Sequence, residues 1–280
     1  MTGEIAILPS KDQISAAQEL YKDTTMEYWR LEDDIMRKLK DRNPEITDKA
    51  ITLVKVTLVN TFYSAGCPDV DEMTSWMVTQ KPCLLERYKN IASHDEEERI
   101  KWVQRIARRA SEEEGDNTQQ VSGNAFVFAS KFAHFFIDEE AFPIYDQYAR
   151  MVVNSHLGET KKVPLKDWYR TFYKHFFKMK RYLDQRDSCQ YSIKALDHYL
   201  WLSGMYITQK LWDLPPDQLN LYGAAENLFI DSDNPFLEQL FPLSLLDSFP
   251  IEQLHELPKW KDVNRKIQRK QKEEAEKRQK

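Results

Sequence analysis

The sequence predicts an all-α protein, on three observations. Its 280 residues hold only 7 Gly and 12 Pro against 7 Trp, 13 Tyr and 14 Phe, a balance that disfavours turn-rich sandwiches and glycine-loop nucleotide folds. At 41% hydrophobic and 30% charged, the chain can bury a core of one or two domains. Apolar residues recur at helical spacing over long stretches, with no internal repeat.

The elements follow in order. Between Ser10 and Asp41, Leu20, Tyr21, Met26, Trp29, Leu31, Ile35, Met36 and Leu39 recur near helical spacing, predicting one or two helices. After Asn43 and Pro44, the apolar and β-branched run Ile51 to Gly66 (ITLVKVTLVNTFYSAG) predicts a buried central helix ended by Gly66 and Pro68, with a buried strand the alternative for VKVTLV. Asp95 to Glu114 opens with acids and continues through Arg99, Lys101, Arg105, Arg108 and Arg109, as a surface helix complementing its own dipole does. A polar loop from Gly115 to Gly123 leads into the apolar run FVFASKFAHFFI, which Pro143 must interrupt, leaving Asp146 to cap a new helix over about Gln147 to His156. Further helices fit Lys166 to Leu183 and Ser188 to Ser203. The acidic Leu/Phe/Pro segment beyond Trp212 reads as short helices over the body, and the charged stretch from Lys259 as a helical or disordered tail.

The formal net charge of -5 hides an uneven distribution. Lys161 to Arg186 carries nine Lys/Arg against two acids, and Lys259 to Lys280 ten against four. Between them, Leu211 to Pro258 holds nine acids and no Lys or Arg. The acidic segment serves either to repel DNA outside a cleft or to contact a protein; the basic tail serves either nonspecific nucleic-acid attraction or no partner at all. No stretch reaches the roughly 20 apolar residues a membrane span needs, and Met1 to Gln13 lacks the basic-then-apolar pattern of an export signal. Cys67, Cys83 and Cys189 are odd in number and widely spaced, which fits a reducing cytoplasm and not a zinc or iron-sulfur site. No metal and no cofactor are expected.

Two constellations carry chemistry. In the first, Ser130-Lys131-Phe-Ala-His-Phe-Phe is followed by Phe142-Pro143-Ile144-Tyr145-Asp146, setting an amine and a carboxylate fifteen residues apart, one near the start of an apolar helix and one at the next helix's N-terminus. A return between the two helices brings such positions onto one cleft; the plainer reading makes Ser130 and Asp146 N-caps and lets Lys131 snorkel to water. His134 reads as a hydrogen-bonded core residue. In the second, Lys166, Arg170, Lys174 and Lys178 follow one i, i+4 ridge that Arg181 extends, beside an apolar face of Tyr169, Phe172, Tyr173 and Phe176. The ridge reads as a phosphate-binding face or as an ordinary solvated one.

The pairing of Lys131 at an apolar helix with Asp146 after an apolar-Pro-apolar turn resembles the helix-hairpin-helix DNA glycosylases. The likeness is closer to a divergent bacterial branch carrying SKF-x-HF and FPIYD, and takes in VKVTLVNTFYSAG and KALDHYLWLSG, from about Ile46 to Gly204. The glycine-rich hairpin of that family has no counterpart here: Ala125 to Ala129 reads AFVFA. The four-cysteine cluster loop of some members is absent too.

The resemblance implies a two-lobed helical bundle with a cleft between the lobes. One lobe would span about 46–140 and the other 1–45 with 141–258, followed by the tail 259–280. It also implies a DNA glycosylase that flips a modified base out of double-stranded DNA and excises it, leaving an abasic site. Asp146 would stabilise the charge on the sugar, and Lys131 would attack the anomeric carbon with associated lyase activity. Asn60 would read the base, Phe62 or Tyr63 would fill the gap in the duplex, and Tyr145 would line the pocket. Within the branch, the implied substrate is glucosylated hydroxymethylcytosine of phage DNA, an antiviral role; base-excision repair of damaged bases is the alternative. The rivals from other classes are a noncatalytic DNA-binding protein on the same fold and a helical protein-interaction module.

Overall fold

A computed structural model describes residues 8–63, 65–67, 69–91, 95–110, 123–159, 163–212 and 234–240. Among these residues every regular element is helical: α1 (Lys11–Lys22), α2 (Glu27–Arg42), α3 (Lys49–Phe62), α4 (Val70–Thr79), α5 (Leu84–Lys89), α6 (Glu96–Arg109), α7 (Gly123–Phe136), α8 (Gln147–His156), α9 (Trp168–Asp187), α10 (Ile193–Trp212) and α11 (Pro235–Leu240), with 3-10 turns at Thr24–Met26 and Leu165–Asp167. The loop expected at 115–122, most of the acidic segment and the whole basic tail lie outside the described residues.

The helices form two compact units. The first comprises Met1–Glu27, Gln147–Thr160 and His198–Lys280; the second comprises Tyr28–Asp146 and Lys161–Asp197. In the first unit, α1 starts with a reciprocal capping box between Ser10 and Gln13. It is tied to α11 by the Gln13 amide, which donates to the Leu240 carbonyl at 3.2 Å. The second half of α10 passes so close to α8 that a Cβ on Gly204 would stand 2.6 Å from Tyr148 Cβ, so that crossing requires glycine.

In the second unit the central element is α7. Nine of its fourteen residues are buried, Phe126, Phe128, Phe132 and Phe136 among them, each contributing about 1.5–3 kcal/mol on transfer from water. It packs against α3 and α6, α3 also packs on α4, and α6 on α9. The α6 helix is amphipathic as its sequence predicts: Asp95 caps it, three glutamates open it, Arg108 and Arg109 close it, and Ile100, Trp102, Val103, Ile106 and Ala107 are buried.

The VKVTLV stretch is helix, as expected, and its strand alternative falls away; the helix ends at Phe62, four residues before the expected stop at Gly66. Gly66 serves the connection instead, at φ +71° and pressed on Asn124, where a Cβ would come within 2.4 Å of Asn124 Cβ. Because α7 begins at Gly123, Ala125 to Ala129 is helix interior rather than a hairpin, and Ser130 and Lys131 lie in mid-helix rather than at its start. Ser130 is therefore no N-cap. Lys166 sits in the 3-10 turn ahead of α9, so the first cation of the expected ridge lies outside the α-helix.

Candidate active site

The site lies wholly within the second unit and is assembled from α2, α3, α7, the turn before α8 and the first turn of α10. The chain leaves α7 at Phe136 and turns back on itself, held by two hydrogen bonds. The Tyr145 backbone N–H donates to Ser130 Oγ at 3.0 Å, and His134 Nδ1 stands 2.9 Å from the Phe142 carbonyl. These two clamps return residues 142–146 to the face of α7 that carries Lys131. Lys131 and Asp146 thus reach one electrostatic environment, as the fifteen-residue spacing predicts.

Lys131 is half-buried, with Nζ 4.2 Å from the centre of the Tyr63 ring, a cation–π distance. Burial pushes its ammonium below the ordinary lysine value, while Asp146 foremost, then Glu32, Asp33 and Asp197, pull it back up. Four acidic groups therefore act on one amine whose proton burial holds more loosely than water does. That is what a nitrogen nucleophile needs, because only the neutral amine carries a lone pair.

Each carboxylate has a distinct environment. Asp33 accepts from Tyr63 Oη at 3.1 Å and from Lys194 Nζ at 2.8 Å. Asp197 is 7% exposed; its Oδ2 accepts from the Ile144 N–H at 3.3 Å and its Oδ1 is buried without a partner. Burial raises its pKa well above the carboxylate range against the pull of the Ile144 N–H, with the Asp146 and Glu140 charges adding to the rise. Glu32 is 2% exposed, with Oε2 buried and unpartnered, and burial lifts it to about 7. His134 is kept neutral by burial; Nδ1–H donates to the Phe142 carbonyl, leaving Nε2 as the bare nitrogen. It is a hydrogen-bonded core residue, as the sequence suggests.

The other candidate residues fall in different places. Tyr63 joins the site: besides its contacts to Lys131 and Asp33, its ring stacks on Phe135 at 5.4 Å. Phe62, the last residue of α3, is half-buried. Both ends of the Asn60 amide are taken up by the backbone of Cys67, at 2.9 and 3.1 Å, so the side chain braces the turn after α3. Tyr145 is 2% exposed, with its ring against Phe126, Tyr169 and Phe172; its backbone N–H, not its ring, serves the site.

On α9 the basic ridge is matched by acids of α6. Glu97 pairs with Arg170 and with Lys174 (2.6 Å), and Arg181 pairs with Glu96 at 3.2 Å. Lys174 foremost, with Arg170, holds the Glu97 carboxyl below its ordinary value. Lys178 is half-buried on the same helix, and Lys166 is exposed, its carbonyl 3.3 Å from the Gln104 amide. Part of the cationic field read from the sequence is therefore spent within the protein.

Three acids of the site were missed by the sequence reading. Asp197 stood in KALDHYLWLSG as an acid inside an apolar helix, a visible signal. Glu32 and Asp33 stood in the acid run of LEDD, which reads as a solvated face. Among the described residues no group of three His, Cys, Asp or Glu is placed to hold a metal ion, and no helix is long and apolar enough to cross a membrane.

No family model matches the chain, and no curated protein or solved structure matches it. That finding corrects the classification the resemblance implied. The descriptions helix-hairpin-helix, DNA-binding, base flipping, DNA repair and antiviral defence draw nothing from the comparisons, and the chain is classed as an all-α protein of two helical units.

Proposed function

We propose that this chain is an enzyme that cleaves the N-glycosidic bond of a nucleotide in DNA, releasing the base and leaving an abasic site. The observation that carries the reading is the placement of the Lys131 ammonium, 4.2 Å over the Tyr63 ring, where burial loosens its proton against the pull of Asp146. Breaking a glycosidic bond builds positive charge on the sugar, which an adjacent carboxylate stabilises, while a neutral amine can capture the anomeric carbon as a Schiff base that water later releases. Asp146 is assigned the first role and Lys131 the second. DNA as the substrate rests on the sequence likeness around Lys131 and Asp146, and a modified cytosine is the first base to try.

The test is to incubate the protein with ordinary duplex, duplexes bearing damaged bases, and DNA carrying glucosylated hydroxymethylcytosine, and to count abasic sites with an aldehyde-reactive probe. Asp146→Asn should lower their yield by roughly a hundredfold, the size of a pre-positioned charge partner worth about 3 kcal/mol in the transition state. A folded Asp146→Asn that excises at the wild-type rate removes the assignment. Binding without abasic product on any substrate makes a noncatalytic DNA-binding protein the better reading.

A further inference from the structure

The α2 helix inverts the ordinary rule of burial at two adjacent residues. Leu31 is 53% exposed, whereas Glu32 beside it is 2% exposed; one turn back, Tyr28 is 60% exposed. Apolar side chains face solvent while a carboxyl goes inside, and a local inversion of this kind is where folding consistency gives way to function. Once inside, Glu32 has no ion pair of its own among the described residues. Tyr28 is its hydrogen-bond partner, one oxygen has none, and Asp33 and Lys131 are the charges that act on it. Around them stand Tyr63, just past the end of α3, and Lys194 of α10, both engaged with Asp33. Asp33 is thus paired with Lys194 and Tyr63, and Glu32 is left as the buried acid with one oxygen that no protein group satisfies.

Resting on the reading of the site as an N-glycosidase, we propose that Glu32 is its proton donor, the residue that protonates the departing base. The glycosidic bond breaks with its electron pair going to the base nitrogen, and the base takes the Glu32 proton and leaves neutral. The sugar carbon, cationic at that moment and stabilised by Asp146, is captured by the Lys131 lone pair. The new nitrogen–carbon bond makes that nitrogen cationic, and its proton passes to the Glu32 carboxylate, restoring the acid. Burial keeps Glu32 protonated up to about pH 7, so the donor is loaded under neutral conditions. Asp197 stays in the wall, its Oδ2 on the Ile144 N–H.

The experiment measures single-turnover base release by the full-length chain between pH 5.5 and 8.5, on whichever DNA yields abasic sites. Wild type should lose activity about tenfold per pH unit above the Glu32 pKa. Glu32→Gln should lose roughly a hundredfold at pH 6.5 and lack that alkaline limb. Tyr28→Phe provides a second variant at an exposed position. The Tyr28 hydroxyl lowers the Glu32 pKa, so its removal should move the alkaline limb to higher pH. A Glu32→Gln variant with the wild-type rate and profile overturns the assignment and leaves the glycosidase reading standing. If Glu32→Gln does not fold, an unmoved limb in Tyr28→Phe overturns it. Wild type that yields no abasic sites on any DNA overturns the glycosidase reading and the donor role with it.

Discussion

The Tyr145 backbone N–H donates to Ser130 Oγ at 3.0 Å, and this bond joins the immediate neighbours of Asp146 and Lys131. Ser130 also donates to the Val127 carbonyl one turn back, so one buried hydroxyl satisfies two backbone groups. Replacing it with alanine leaves the Tyr145 N–H without its acceptor, at a cost of about 1–3 kcal/mol. Ser130→Ala should therefore melt about 2–10 °C below wild type in a thermal scan. Base release should fall as well, because Asp146 is no longer held back onto α7.

Glu32 makes a prediction about stability and pH that is independent of activity. Its pKa rises from about 4.3 in an unfolded chain to about 7 in the fold. The folded state therefore holds the proton more tightly. The stability it contributes is complete below about pH 4 and is lost as pH climbs through about 7. Glutamine cannot ionise, so the stability of Glu32→Gln relative to wild type should improve across that window, by up to about 3 kcal/mol. Urea unfolding of both proteins at pH 5 and pH 8 reads the difference.

Removing the cation of the site has the opposite electrostatic consequence. Lys131 lowers the pKa of both Glu32 and Asp197, so Lys131→Met should raise both further. Carbon-13 NMR of the carboxyl groups would show the Glu32 titration moving above its wild-type midpoint. The same variant should give no covalent adduct with DNA on borohydride reduction, since the Schiff-base nitrogen is gone.

The ridge on α9 predicts a gain rather than a loss. Glu97 occupies both Arg170 and Lys174 at a site 43% exposed, where an ion pair stabilises the fold by less than about 1 kcal/mol. Glu97→Gln should leave melting nearly unchanged while freeing two cations. If the ridge meets phosphates, the slope of log K against log salt for duplex DNA should steepen by about 1.8, from roughly -0.9 per contact. Fluorescence anisotropy at several salt concentrations measures it, and an unchanged slope shows that the ridge meets no phosphate.

The helices were legible because their signals are local. The acids and arginines at the two ends of α6, the phenylalanines of α7 and the break at Pro143 each act within a few residues of their position in the chain. Lys131 and Asp146 were legible as a pair because a short return between helices is also nearly local. Three things were not. Ser130 looks like a cap by type, and only the full extent of α7 makes it an internal clamp. Asn60 suits reading a base and Tyr145 suits lining its pocket by type, yet the Asn60 amide is taken up by the Cys67 backbone and the Tyr145 backbone N–H is bound to Ser130. Lys174 and Arg170 follow a ridge on paper, while Glu97, more than seventy residues away, decides how much of their charge faces outward.

By itself the sequence determined that this protein is helical and where most of its helices run. Hydrogen bonding along a helix, capping and apolar spacing are short-range effects that a linear reading can follow. The tertiary structure decided that Glu32 goes in and Leu31 stays out, and that Asp33, Tyr63 and Asp197 close around Lys131. Burial and electrostatic coupling depend on which distant helices share a space, and that is where a carboxyl in an acid run becomes one that holds its proton to neutral pH.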